Sequence, residues 1–220
     1  MVTEEYVMIC IDTSYDMESL NPCRYQFQLE CARSYCQAKL KSNNQKSAIG
    51  IMTMGACAGA NVLNPTSDLD KVMHHLELPW FLGGCLDIIR SIHISLMVLR
   101  RYDAPSKRKR ILLFTGGGPV GIRDIKVAEL MGKILKDDNV AVDVVDFYME
   151  GCFEDSKEML KVFVAAANNS NNSNIVQLQA EKFLNHYEIM SSAKTIFPDA
   201  ALLKEGEMPK GKEIQAATQI

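Results

Sequence analysis

The segment "ILLFTGGGPVGIRDIKVAELMGKILKDDNVAVDVVDF", residues 111–147, contains an apolar run, a helical pattern and a second apolar run. The runs at 111–115 and 140–147 largely lack alternation of polar and apolar residues, which is typical of strands covered on both faces. The pattern at 122–136 has apolar residues at helical spacing. A strand, a helix and a second strand in this order predict a parallel β-α-β unit.

The same alternation extends through the rest of the chain. Further strands are predicted at 6–11, 47–54 and 174–178, with a short edge strand near 61–63. Helical patterns lie between them at 24–41, 68–76, 84–101, 156–167 and 180–191. We therefore predict an α/β fold with a doubly wound, mainly parallel sheet and helices on both of its faces.

Composition argues against several functional classes. The formal charge is −3, so neither general nucleic-acid binding nor membrane binding is expected. No window approaches 18 apolar residues, and the amino-terminal residues do not have the pattern of a signal peptide. The seven cysteines never form C-x-x-C, which indicates a reducing compartment and no zinc site. The basic cluster at 107–110 is interpreted as a solvated strand entrance.

The glycine loop after the run at 111–115 satisfies the pattern G-x-G-x-x-G through Gly116, Gly118 and Gly121. An NAD-dependent enzyme is therefore one alternative, with Asp146 near the position of a ribose-binding acid. Against it, Pro119 removes a backbone N–H inside the motif, and the helical pattern begins only after the last glycine. No Walker motif occurs in the chain, and we expect no cofactor.

The loop after the first strand, "DTSYD", has most of a D-x-S-x-S cation motif, with Asp12 and Ser14 present and Asp16 in the last position. Such a site also requires a threonine and an aspartate from two other loops. Those loops read Gly83-Gly84-Cys85 and Gly116 at the corresponding places. We interpret Asp12, Ser14 and Asp16 as remnants of a degenerate metal site. Asp12 as a turn cap and a functional Mg²⁺ site both stay open at this point.

Five segments in order carry a family resemblance: a strand ending in Asp-x-Ser, "AIGIMTM", "IIRSIHISL", "RILLFTGGGP" and "KILKDDNVAVDVVDF". Together they resemble the von Willebrand factor A domain of the ubiquitin-receptor, non-ATPase subunits of the 26S proteasome regulatory particle. The resemblance spans residues 6–198. It implies a six-stranded sheet, one domain at 1–198, and a non-catalytic scaffold that docks to lid and base subunits and stabilises their association in the cytoplasm and nucleus.

Residues 199–220 form a polar tail without a recognisable ubiquitin-interacting motif, so we expect no ubiquitin capture by this chain. The same fold also occurs in adhesion-type A domains, which bind their ligands through Mg²⁺, and in an A domain of a DNA-repair or transcription complex. Both of these functions stay open as interpretations of the sequence.

The loops at the carboxyl ends of the strands are predicted to contact partner proteins. The Trp80-Phe81 pair is predicted to be either core or an exposed docking wedge. The candidate partner-binding residues are Asp12, Thr13, Ser14, Tyr15, Asp16, Trp80, Phe81, Gly116, Gly117 and Gly118.

Two acidic residues inside a predicted strand, Asp143 and Asp146, are expected at the rim of the sheet, facing polar neighbours. None of the four histidines stands in a catalytic motif. His93 is expected at a hydrogen-bonded interface, and His74 and His75 at the carboxyl end of a short helix.

Overall fold

The computed structural model describes residues 4–17, 24–42, 46–55, 60–102, 106–116, 121–122, 124–148, 153–179, 182 and 185–197. Gly117, Gly118 and the predicted tail at 199–220 lie outside the described residues. Within the described part, no helix is long and apolar enough to cross a membrane.

The strands are β1 (Glu5–Ile11), β2 (Ala48–Thr53), β3 (Val62–Thr66), β4 (Arg108–Thr115), β5 (Val140–Tyr148) and β6 (Asn174–Gln179). They form one six-stranded sheet in the order β3-β2-β1-β4-β5-β6. Every neighbouring pair is parallel except β2 and β3, so β3 is an antiparallel edge strand. The predicted mainly parallel sheet is confirmed, and β1 and β4 lie at its centre.

The helices are α1 (Arg24–Ser42), α2 (Leu69–Leu76), α3 (Ile88–Arg100), α4 (Ile125–Asp137), α5 (Glu154–Ala167) and α6 (His186–Ser192). Helices α1, α2 and α6 contribute to the apolar core on one face of the sheet. Helices α3, α4 and α5 contribute to a second core on the other face. The fold is therefore doubly wound, as predicted.

Strand β1 shows why its sequence has no polar alternation. Val7, Ile9 and Ile11 enter one core, whereas Met8 and Cys10 enter the other. All five side chains are fully buried, and burial of a side chain of this size is worth about 1.5–3 kcal/mol. Because both faces are covered, a polar side chain in this strand would need a partner within the core.

Three helices begin later than their apolar patterns predict. The structure places side-chain caps at Asp87, Asp124 and Asn185, which accept hydrogen bonds from the first turns of α3, α4 and α6. Before α3, Gly83 and Gly84 have φ values of 155° and 76°, which are incompatible with a helix. The predicted starts at residues 84 and 122 are therefore wrong by a few residues, because a cap acceptor outweighs the local apolar pattern.

The two acidic residues of β5 are not at the rim. Asp143 is 3% exposed and Asp146 is 1% exposed, so that prediction is wrong. Their neighbours are polar, as expected. The Thr115 hydroxyl donates to Asp146 Oδ1 at 2.7 Å, and Gln177 Nε2 donates to its Oδ2 at 3.1 Å. Both partners come from strands adjacent to β5, so the acidic residues are satisfied inside the sheet.

A charge network joins the amino ends of the strands. The Arg110 guanidinium forms ion pairs with Asp143 and with Glu5, the latter at 3.3 Å, and Lys39 of α1 also pairs with Glu5. Asn174 donates from its backbone N–H and its side-chain amide to Asp143 Oδ1, at 3.0 and 2.8 Å. Thus Arg110, expected from the sequence to belong to a solvated cluster, instead links β1, β4 and β5.

The network sets the ionisation of Glu5. Burial alone would raise its pKa, but the attraction of Arg110 and Lys39 outweighs burial and holds the pKa below its ordinary value. Because the pKa of Glu5 is lower in the folded state than in the unfolded state, its ionisation stabilises the fold at pH values above the unfolded-state pKa. This contribution disappears as the pH falls through the folded-state pKa.

We predict that Arg110→Gln lowers the free energy of unfolding by about 3–5 kcal/mol at neutral pH, because it leaves the buried Asp143 without its cation and Glu5 with Lys39 alone. Arg108→Gln, on the same strand and exposed, is the matched control and should change stability by less than about 0.5 kcal/mol. Urea denaturation measures both. The deficit of Arg110→Gln should shrink below the ordinary glutamate pKa, and a deficit independent of pH would contradict the electrostatic origin.

Candidate functional site at the carboxyl ends of the strands

Asp12 follows β1 and is fully buried beneath the carboxyl-end loops. Its Oδ1 accepts a hydrogen bond from the Ser14 N–H at 2.8 Å, and its Oδ2 accepts one from the Gly116 N–H at 2.8 Å. Burial raises the pKa of Asp12, against the opposing effect of these hydrogen bonds. The carboxylate therefore closes a turn and links the ends of β1 and β4, in agreement with a turn-cap role.

Position 116 has no room for a liganding carboxylate. A Cβ placed on Gly116 would overlap the Met17 sulfur and lie 3.2 Å from Asp12 Oδ2. Met17, from the short 3-10 helix at Tyr15–Met17, is itself buried. A side chain at position 116 would therefore require the buried Met17 side chain to move.

Arg24, the first residue of α1, contributes a buried positive charge at the same end of the sheet. It is 1% exposed. Its guanidinium donates hydrogen bonds to the carbonyl oxygens of Gly116 and Asp16, and to that of Phe147 at 3.2 Å. These carbonyls come from the loops after β1 and β4 and from the end of β5. Carbonyl oxygens at this edge are thus satisfied by the protein's own cation.

The role of Arg24 was not predicted from the sequence. The one signal is its position, because a cation in the first turn of a helix opposes the helix dipole and needs another stabilising interaction. The structure supplies that interaction through the three carbonyl oxygens.

The loop at residues 12–15 is anchored to three neighbouring segments. Gln28 of α1 exchanges two hydrogen bonds with the Asp12 backbone, at 3.0 and 2.5 Å. The Thr13 hydroxyl accepts from the Gly55 N–H at 2.9 Å, and the Thr13 carbonyl accepts from the Gly83 N–H at 2.8 Å. The backbone of this loop is therefore hydrogen-bonded to α1 and to two other segments of the chain.

Two exposed aromatic rings lie above this anchored backbone. Tyr15 and Phe81 are each 63% exposed. Both rings approach Gly83, since a Cβ built there would lie 2.7 Å from Phe81 Cε1 and 3.5 Å from Tyr15 Cε1. We call Tyr15 and Phe81 the aromatic pair.

Most of the other predicted partner-binding residues that the structure describes are buried. Trp80 is buried in the core and contacts His75 edge to face, with ring centroids 5.6 Å apart. The predicted Trp80-Phe81 pair therefore consists of one core residue and one exposed residue. Besides Trp80, the buried candidates are Asp12, Thr13, Ser14 and Gly116.

The residues at this edge do not fit a divalent cation. Both oxygens of Asp12 already accept backbone N–H groups, Met17 fills the space beside Gly116, and the Arg24 charge would repel a second cation. Over the described residues, no group of three or more His, Cys, Asp or Glu side chains is placed to hold a metal ion.

Nucleotide binding at the glycine loop is also disfavoured. Helix α4 begins at Ile125 and its N-cap is the Asp124 carboxylate, which accepts from the Lys126 N–H at 2.8 Å. A phosphate bound at this helix terminus would meet that negative charge. Gly118 and Pro119 lie outside the described residues.

The four histidines have no catalytic arrangement in the described structure. His93 is exposed on α3, so the expectation of a hydrogen-bonded interface position is not met within the chain. His74 and His75 lie in the last turn of α2, as predicted.

We predict that Gly116→Asp lowers the free energy of unfolding by about 1–3 kcal/mol, because the new side chain overlaps Met17 and adds a charge beside Asp12. The double variant Gly116→Asp with Met17→Ala makes space and separates the steric from the electrostatic contribution. Thermal unfolding with and without 10 mM Mg²⁺ measures stability and binding together. A rise in Tm of Gly116→Asp with Mg²⁺ would show that the cation site needs only its missing aspartate, contrary to the packing described here.

Several curated proteins are similar to this chain over most of its length. It is 37% identical over 180 residues to the 26S proteasome non-ATPase regulatory subunit 4 homolog of Oryza sativa subsp. japonica. The Arabidopsis thaliana homolog of the same name is 36% identical over 180 residues. Each alignment covers 79% of this chain but only 42% and 44% of the relatives, so the chain spans less than half of their length.

A crystal structure of the SpRpn10 VWA domain superimposes with a TM-score of 0.69 and 26% sequence identity, covering 80% of this chain and 88% of that one. The predicted resemblance and the six-stranded fold are thereby confirmed. The sequence model of the von Willebrand factor type A domain matches residues 7–119, just over half of the chain. The chain belongs to the von Willebrand factor type A domain family.

Proposed function

We propose that this chain is a non-catalytic subunit of the proteasome regulatory particle and docks through the carboxyl-end surface that bears the aromatic pair. The rice and Arabidopsis relatives are proteasome regulatory subunits, which supports the assembly. The observation that carries the surface assignment is the combination of Tyr15 and Phe81, both largely exposed, on a backbone held by buried hydrogen bonds.

The aromatic pair is suited to a protein interface. Aromatic side chains contribute much of the binding energy at interfaces because they bury a large apolar area with few rotatable bonds. The backbone beneath them is already ordered, since Tyr15 N–H donates to the Gly84 carbonyl at 3.2 Å and Gly83 N–H donates to Thr13. Docking therefore requires little further ordering of the loops.

The buried candidates support this surface from beneath. Asp12, Thr13, Ser14 and Gly116 fix the loop that presents Tyr15, and Trp80 anchors the segment that presents Phe81. Asp16 contributes its carbonyl oxygen to the Arg24 guanidinium. Their role in partner binding is therefore positional, and the direct contacts are assigned to the aromatic pair.

The finer role follows from the resemblance and remains a proposal. The chain bridges lid and base subunits and stabilises their association, in the cytoplasm and the nucleus, without a cofactor. Metal-dependent adhesion is less favoured, because Arg24 and Met17 occupy the surroundings of Asp12. A role in a DNA-repair or transcription complex would use the same fold but has no support from the rice and Arabidopsis relatives.

The test replaces the aromatic pair in the full chain. Tagged wild-type protein expressed in its native cells should recover lid and base subunits, measured by quantitative mass spectrometry. Tyr15→Ser with Phe81→Ser should reduce recovery at least tenfold, since loss of one hot-spot residue costs about 2 kcal/mol or more. Met97→Ser is the control, because Met97 is 48% exposed on α3 and outside this surface.

Two outcomes would contradict the proposal. Recovery of the wild-type chain without proteasome subunits would remove the assembly assignment. Equal recovery by the double variant and the wild type would keep the assembly and remove the docking surface.

A further inference from the structure

A pocket of about 310 Å³ lies at the amino ends of the parallel strands, opposite to the aromatic pair. Its floor includes the charge network of Glu5, Arg110 and Asp143. One wall is formed by α1 and another by the segment that follows α6. None of the predicted partner-binding residues lines this pocket.

The charges in the pocket do not cancel. Lys39 and Arg110 are paired with Glu5 and Asp143, so two cations face two carboxylates. Arg108 also lines the pocket, and within the described ranges its guanidinium forms no ion pair. The lining therefore has one excess positive charge, which lies at an exposed position where an incoming anion can reach it.

The Tyr35 hydroxyl adds a second donor. Tyr35 lines the pocket and is only 8% exposed, with its ring packed edge to face against Phe197 at 6.0 Å between centroids. Among the described residues its hydroxyl has no hydrogen-bond partner. Burial and the nearby Glu5 raise the pKa of Tyr35 well above its ordinary value, so the hydroxyl keeps its proton at neutral pH. This hydroxyl, without an acceptor among the described residues, can donate to a ligand that enters the pocket.

The apolar lining and the size of the pocket restrict the ligand. Met190, Ile196 and Phe197 provide an apolar wall beside the polar floor. A volume of about 310 Å³ is at the lower limit for a small-molecule site. A short aliphatic chain ending in an acceptor fits both features.

We propose that this pocket binds a carboxylate from an acidic segment of a protein partner, with the Arg108 guanidinium and the Tyr35 hydroxyl as donors and the apolar wall contacting the methylene groups of a glutamate. The site is independent of the aromatic pair. The two surfaces lie at opposite ends of the sheet, so failure of one proposal leaves the other standing.

The probes are the peptides acetyl-Ala-Glu-Ala-amide and acetyl-Ala-Gln-Ala-amide, with glutarate as a free dicarboxylate. Nuclear magnetic resonance titration of the folded full chain at low salt measures each Kd and locates the affected amides. The glutamate peptide should shift amide signals at the amino ends of β1 and β4. The glutamine peptide should bind at least about tenfold more weakly, because it lacks the charged acceptor of the hydrogen bonds. Glutarate should bind more weakly than the glutamate peptide.

Variants test the two donors. Arg108→Gln and Tyr35→Phe should each raise the Kd of the glutamate peptide by about tenfold, because each removes one donor. Arg101→Gln, an exposed arginine outside the pocket lining, should leave its Kd unchanged. The spectrum of each variant shows whether it is folded, and Tyr35→Phe retains the ring that packs on Phe197.

Three results would overturn the proposal. These are no binding of the glutamate peptide, equal binding of the two peptides, and unchanged affinity in both donor variants. Tighter binding of glutarate than of the peptide would replace the protein partner with a free dicarboxylate and would overturn the assignment of the ligand.

Discussion

The hydrogen bonds from the backbone of Ser14 and Gly116 to the buried Asp12 carboxylate determine the arrangement of the carboxyl-end surface. They connect the ends of β1 and β4, the two central strands, through a group that would be costly to bury without partners. Next to this connection, the Met17 side chain fills the space that a side chain at position 116 would need. The backbone of the loop that carries Tyr15 is therefore hydrogen-bonded to α1 and to the segments that contain Gly55 and Gly83.

Each end of the sheet uses one arginine guanidinium in a different way, with Arg24 buried and Arg110 partly buried. At the carboxyl end Arg24 donates to carbonyl oxygens from three segments, whereas at the amino end Arg110 pairs with two carboxylates from neighbouring strands. A planar guanidinium can serve several acceptors at once, which a lysine ammonium does less well. The two arginines therefore link the strands at both ends of the sheet.

The sequence predicted the features that depend on local patterns. The uninterrupted apolar runs identified the central strands, and their alternation with helices identified the doubly wound sheet. Helix starts were less accurate, because the cap residues Asp87 and Asp124 decide them. Features that depend on distant partners were not predictable. Asp143 is satisfied by Arg110 and Asn174, and the space beside Gly116 is filled by Met17, which no pattern within either loop reveals.

The most direct measurement is a structure of the proteasome regulatory particle purified from the native cells through this chain, the assembly proposed above, at a resolution that shows side chains. We predict that Tyr15 and Phe81 are buried against a neighbouring subunit, and that the Arg24 guanidinium, with no metal ion beside it, contacts the carbonyl oxygens near Asp12. A particle in which both rings face solvent, or in which an ion is coordinated by Asp12, would contradict the docking surface described here.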